Sequence, residues 1–290
     1  IRGMSSLPSD ARLVAPYDNA ENFFQNAMNF NNYLSVSGTG KKGNYYFSAG
    51  RLNQTGVIPL SDFSRTSLKL SGDYKLLEKL SVTASATYTN SGGSRNQRGS
   101  NASGVLFGLM RANEMFDLSN GVSDPVNDKK AYMLNDTLQR TFYGDIDNPY
   151  WSINKNKVRD KVNRLISFAQ VDFKPFSGVN ITYRAGIDTY TEHVKDYLSD
   201  YSKDNYNVGL IYFDTTFFRS FNSDLILSFD KDLSEDLNLQ VITGHNFYSR
   251  RREFDSRGGE DFIAPGIYDL SNVNTLFEPS HSLTRYKTVG

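Results

Sequence analysis

Apolar and polar positions alternate along much of the chain. Between 79 and 90, Leu80, Val82, Ala84, Ala86 and Tyr88 share one face of an extended chain, and Ser81, Thr83, Ser85, Thr87 and Thr89 share the other. A period of two specifies a β-strand and leaves no helical reading. Segment 178–188 repeats the pattern, with Val179, Ile181, Tyr183, Ala185 and Ile187 opposing Asn180, Thr182, Arg184, Gly186 and Asp188. Segment 64–74 sets Leu68, Leu70 and Tyr74 against Lys69, Ser71 and Asp73. Segment 237–248 sets Leu237, Leu239, Val241 and Phe247 against Asn238, Gln240, Gly244 and Asn246, with Ile242 breaking the rule. Weaker strand signals cover 32–39, 44–53, 161–174 and 217–230.

The connections sharpen this picture. Gly40-Lys41-Lys42-Gly43, residues 75–78, Pro175-Phe176-Ser177 and Leu233-Ser234-Glu235-Asp236 are short, turn-rich links. Between the hairpins lie longer links at about 54–62, 91–160, 193–216 and 253–280, and residues 1–30 read as a loop leading in. Short and long links alternate throughout, as in an outer-membrane barrel with short turns on one end and long loops on the other. Twelve residues at ~3.4 Å, tilted by ~40°, cover roughly 30 Å along the membrane normal, enough for an apolar band of ~25 Å. Tyr74, Phe173, Phe176 and Phe229 fall beside the short turns, where an interfacial aromatic girdle belongs. The predicted fold class is therefore all-β: an antiparallel transmembrane β-barrel, here about eight strands over 31–290. The small inward residues, largely Ser, Thr, Gly and Asn, would not fill a narrow lumen and favour a wide barrel holding water or a plug. A soluble sheet with a solvated polar face stays open as the alternative.

Composition narrows the classes. No run nears the ~18 apolar residues of a spanning helix, the longest being Val105-Leu106-Phe107-Gly108-Leu109-Met110. A 13% aromatic content argues against disorder. Thirty-two basic residues balance 32 acidic ones, so no nucleic-acid partner is expected. The absence of Cys removes disulfides, thiolate metal sites and Cys nucleophiles. The chain opens on Ile1, and 280–290 reads as the start of another segment, so a piece of a longer polypeptide is expected.

Specific strings add a family. Leu34-Ser35-Val36-Ser37-Gly38, Asn44-Tyr45-Tyr46-Phe47-Ser48-Ala49-Gly50 and Gln54-Thr55-Gly56-Val57-Ile58-Pro59 resemble the early barrel of SusC/RagA-type TonB-dependent transporters. Asp147-Asn148-Pro149-Tyr150-Trp151, Asp160-Lys161-Val162-Asn163-Arg164, Tyr183-Arg184-Ala185-Gly186-Ile187-Asp188 and Gly244-His245-Asn246 continue the resemblance in order. Pro265-Gly266 and Tyr268-Asp269-Leu270-Ser271-Asn272 close it. The resemblance implies a bacterial outer-membrane location and a barrel of about 22 strands around a plug. This chain would be an early part of that barrel, and no plug domain is found in it. The resemblance also implies uptake of oligosaccharides or peptides, a SusD-like surface lipoprotein as partner, and energy from the TonB–ExbB–ExbD complex. Outer-membrane lipid and lipopolysaccharide would surround it.

No enzyme, cofactor or metal site is expected. His193, His245 and His281 are isolated, and no Gly-x-Ser-x-Gly elbow accompanies them. His245 reads as a lumen or loop residue. Asp145 and Asp147, and the group Asp200, Asp204, Asn205 and Asn207, supply oxygens without calcium-loop spacing and read as solvated loops. Alternation makes Lys69, Asp73, Arg184 and Asp188 the candidate lumen-facing charges. Tyr150, Trp151, Arg250 and Arg251 are the candidate loop contacts to substrate or partner. An exposed Trp151 could stack on a sugar ring, or it could pack the loop down. The Arg250-Arg251-Arg252 run could meet lipopolysaccharide phosphates or an anionic solute. Segment 104–115 carries Val105, Leu106, Leu109 and Met110 at helical spacing and predicts a short loop helix. Two rivals to the transporter are a soluble β-sandwich carbohydrate-binding module, which needs two apolar faces meeting in a dry core, and an outer-membrane barrel hydrolase using His245.

Overall fold

A computed structural model describes residues 16–97, 101–142 and 144–290. Most of the predicted lead-in, residues 1–15, lies outside the described residues. The rest of it holds a short helix, α1 (Asn19–Phe23), capped by the Asp18 carboxylate, which accepts from Glu21 N at 2.8 Å.

All eight predicted strands form: β1 (Asn29–Gly40), β2 (Gly43–Thr55), β3 (Asp62–Leu77), β4 (Leu80–Arg95), β5 (Lys157–Phe173), β6 (Val179–Leu198), β7 (Leu210–Ser234) and β8 (Leu237–Phe262). Two more follow, β9 (Val273–Leu276) and β10 (Ser280–Val289). Each strand from β1 to β8 pairs antiparallel with the next, β10 pairs with β8, and β9 also joins β8, giving one 10-stranded sheet. The short links sit at one end, as predicted. At the other end the strands run further than expected. The 193–216 loop shrinks to 199–209, and β8 reaches Phe262. The 54–62 loop shrinks to 56–61, closed by Gly56 N donating to Ser61 O at 2.9 Å. Alternation fades there because both faces carry polar residues, such as Glu192 and His193. The backbone ladder needs no such contrast and continues.

Register fixes the faces, because directly paired residues project the same way. Tyr74, Val82 and Val171 lie in one row, and Leu70, Ala86 and Ser167 in another. Ile181 pairs with Leu227, and Phe229 with Val241. These rows form one continuous apolar face, on which Tyr74, Phe173 and Phe229 sit at the short-turn end.

No second layer covers that face among the described residues. Leu70 is 60% exposed, Val241 48% and Tyr183 47%. The apolar faces of β4 and β6 stand side by side in one sheet and do not oppose one another. That corrects the sandwich alternative, whose dry core is missing. His245 is also corrected: it pairs with Leu225 on the apolar face, not on the lumen side. The buried hydrophobic cluster lies elsewhere, in the long connection between β4 and β5 together with Phe23 of α1.

The β5–β6 turn depends on one glycine. Gly178 has φ +81, and a Cβ there would stand 2.4 Å from the Asp230 carbonyl oxygen. Gly178→Ala should therefore lower stability by about 1–3 kcal/mol. Urea unfolding of the full-length protein in detergent checks this, and an unchanged midpoint would refute the turn assignment.

Candidate functional site

The face opposite the apolar one collects the polar side chains. Lys69 pairs with Thr87, Asp73 with Thr83, Arg184 with Gln170 and Asp224, and Asp188 with Ile166 and Ser220. The register thus puts all four candidate charges, Lys69, Asp73, Arg184 and Asp188, on one face. It places them in two groups separated by β4 and β5.

In the first group, Asn44 Nδ2 donates to Asp73 at 3.0 Å and the Lys69 ammonium lies 5.7 Å from the Tyr46 ring centroid. A hollow of about 700 Å3 opens here, lined by Tyr46, Lys69, Asp73, Thr83, Ser85 and Phe168. In the second group, Arg164 grips Asp188 with two bonds, Nε–Oδ1 at 2.9 Å and Nη2–Oδ2 at 2.6 Å. Arg184 Nε donates to Gln170 at 3.0 Å, Gln170 donates to Asp172 at 2.8 Å, and Thr182 donates to Asp172 at 2.6 Å. Asn246 Nδ2 donates to Asp224 at 2.6 Å. The strands hold these groups at fixed spacing, which makes the face a preorganised polar wall.

Arg164, Gln170, Asp172 and Asp224 were not singled out from sequence. The reason is visible in β5 and β7, where Ile166, Phe168, Phe218 and Ile226 interrupt the polar face and blur the alternation. Pairing each residue with its neighbour on a clear strand would have recovered them.

The long connection between β4 and β5 folds into a packed layer at the long-loop end. It holds α2 (Val105–Arg111), the helix predicted within 104–115, and an unpredicted α3 (Pro149–Lys155). The start of α3 was readable: Asn148 caps it, accepting from Tyr150 N at 2.9 Å, and Pro149 occupies the first turn. Trp151 is 2% exposed and Tyr150 1%, packed with Phe23, Val105, Leu109, Leu118 and Tyr132. The sugar-stacking expectation for Trp151 is therefore replaced by the packing one, and Tyr150 goes with it. Burial pushes the Tyr150 hydroxyl up to about 12.

Asp147 ties the layer together. Its Oδ1 accepts from Gln139 Nε2 at 2.6 Å and Lys203 N at 2.6 Å. Its Oδ2 accepts from Asn156 Nδ2 at 3.0 Å and Ser202 Oγ at 2.5 Å. Burial pushes the carboxyl above the ordinary range, and the four donors pull against that shift. A site made of donors fits the ionised form. Asp147 thus links two loops and is no solvated residue. In the second acidic group, Asp204 Oδ2 accepts from Asn101 Nδ2 at 2.7 Å and Ser103 Oγ at 2.8 Å.

The arginine run is split by the strand. Arg250 projects from the polar face opposite Ser220 and is exposed. Arg251 projects from the other face, opposite Arg219, and forms an ion pair with Glu253. The two are therefore not one contact patch.

No family model matches the sequence, and no curated protein matches it. Solved structures do. The RagAB peptide importer in its open-open state superposes with TM-score 0.77 at 17% identity over 94% of this chain. The closed-closed state gives 0.76 at 17% over 95%, and another structure of the RagAB peptide transporter gives 0.74 at 18% over 94%. In each case the chain spans 30% of the length of the solved chain. The fold is therefore that of part of a larger barrel, and these neighbours are transporters, not enzymes.

Asp147→Asn should loosen the loop layer by about 1–3 kcal/mol, since either amide orientation sets a donor against a donor. Faster amide exchange across 139–156 and 199–203, with strand protection unchanged, is the expected result. Equal exchange in both regions would show that Asp147 does not organise the layer.

Proposed function

We propose that the chain is the early part of a TonB-dependent outer-membrane importer of the SusC/RagA type, carrying peptides or oligosaccharides through a plugged barrel. One observation carries this reading. A single antiparallel sheet has one largely apolar face left uncovered and one largely polar face. Lipid suits the first face and an aqueous lumen the second. The likeness to the RagAB peptide importer supports the same reading and favours peptides as substrate. The domain reading follows: 31–290 is barrel, with the packed loop layer outside the membrane. A SusD-like lipoprotein would dock over those loops, and the TonB–ExbB–ExbD complex would supply the energy.

The protein's own part in transport is binding and passage, without covalent chemistry. Lys69, Asp73, Arg184 and Asp188 would line the lumen wall and set its field. Arg184 is exposed and makes a neutral bond to Gln170, so it remains free to meet a carboxylate or peptide oxygen. Asp188 is already gripped by Arg164 and would serve mainly to fix that arginine.

Two measurements test the reading. Ala84→Lys on the apolar face should destabilise the full-length protein in a bilayer by about 2–4 kcal/mol, whereas Ser85→Lys on the polar face should cost far less. Equal effects would remove the lipid assignment. Arg184→Glu should change uptake of charged peptides several-fold with folded protein in the outer membrane unchanged. Unaltered uptake across acidic, neutral and basic peptides would exclude Arg184 from the lumen field.

A further inference from the structure

On the apolar face, at the level where β6 and β8 turn polar while Phe217 continues β7, three arginines stand in one row. Arg219 on β7 pairs with Arg251 on β8, and Arg251 pairs with Arg285 on β10. Neighbouring strands lie ~4.8 Å apart, so the three side chains leave the sheet close together. Like charges directly opposite one another across a ladder are unfavourable. Glu253 answers Arg251 alone. Arg219 and Arg285 are exposed, and no carboxylate reaches either among the described residues. Lys287, one pair below on the same face, adds another cation. Asp255, two pairs above, is engaged by His281 at 2.8 Å. The row is thus a concentrated, largely unanswered positive charge.

Its height is informative. Below it on the same face of β7 lie Phe221, Leu225, Leu227 and Phe229. About ten residues separate Arg219 from Phe229 at the short-turn end, roughly 34 Å along the strand and ~26 Å along the normal at ~40° tilt. That is the full depth of an apolar band of ~25 Å, so the arginines stand at its outer edge.

We propose that Arg219, Arg251 and Arg285 form a site for the phosphate groups of lipopolysaccharide in the outer leaflet. The inference rests on the outer-membrane reading above. Acyl chains would pack on the apolar rows below, while the guanidinium groups take phosphate oxygens in paired hydrogen bonds. Sequence suggested that the 250–252 run could meet such phosphates. The register keeps Arg251 for that role, turns Arg250 and Arg252 to the other face, and adds Arg219 and Arg285.

The test uses the full-length protein in nanodiscs. Affinity is measured for lipid A carrying its phosphates and for the same lipid enzymatically dephosphorylated. The expected result is tighter binding of the phosphorylated form. Combining Arg219→Gln, Arg251→Gln and Arg285→Gln should abolish that preference, with about a tenfold loss of affinity, and Arg252→Gln should leave it intact. The comparison of the two lipids on unaltered protein needs no variant, so misfolding of the triple variant cannot mask the answer. Equal binding of both lipids, or a triple variant that folds and keeps the preference, overturns the site. Fractionation separates this from the larger reading: protein absent from the outer membrane defeats the importer, whereas protein present there with phosphate-blind binding defeats only this site.

Discussion

The structure depends on one constraint, the unbroken backbone ladder that runs from β1 to β8 and on to β10. Each strand satisfies its neighbours' amides and carbonyls, which frees the side chains from any role in sealing the sheet. They can then sort, mostly apolar to one side and mostly polar to the other. A one-residue slip at any strand would exchange the two sides. The ladder and the sorting therefore enforce each other. In water, a bare apolar face of this extent would favour association. In a bilayer the same face needs no partner, and the paired backbone is what a bilayer demands.

The loop layer follows a different rule. Its helices are short, five residues in α1 and seven in α2 and α3, and such lengths do not persist alone. Burial of Trp151, Tyr150, Phe23 and Leu118 supplies roughly 1.5–3 kcal/mol per large side chain. Asp147 then fixes how the β4–β5 connection meets the β6–β7 loop, since its partners come from both. The result is a small dry core mounted on a sheet that has none.

This contrast explains what the sequence discloses. Segments 79–90 and 178–188 are legible because each residue there is set between two unlike environments, and the alternation records both. The four candidate charges were read from the same alternation, and register sets them on one face in two groups. The upper parts of β6, β7 and β8 were not legible, because residues such as His193, Arg251 and Asp255 meet polar surroundings on both faces. Sequence leaves both exposure and packing open for Trp151, because a loop's compactness depends on distant partners. Phe23 lies more than a hundred residues from Trp151, and no local pattern connects them. The Asn148-Pro149 helix start was the local clue, and it bears on burial only through the core that α3 enters.

The length of the strands completes the argument. Strands β7 and β8 run for 25 and 26 residues, roughly 85 Å of chain each and ~65 Å along the normal at ~40° tilt. A band of ~25 Å uses less than half of that. In the proposed membrane setting the remainder would stand outside the band as a paired palisade, with Leu198 and Ile211 buried in it. It carries the loop layer at a set height and orientation, so helices too short to fold alone are held by their anchoring ends. It also separates two tasks within one strand. Under the proposed reading, side chains below the Arg219–Arg251 row would meet lipid and those above it would meet the exterior. The same ladder that pairs the backbone at the bottom makes the sheet a rigid mount at the top.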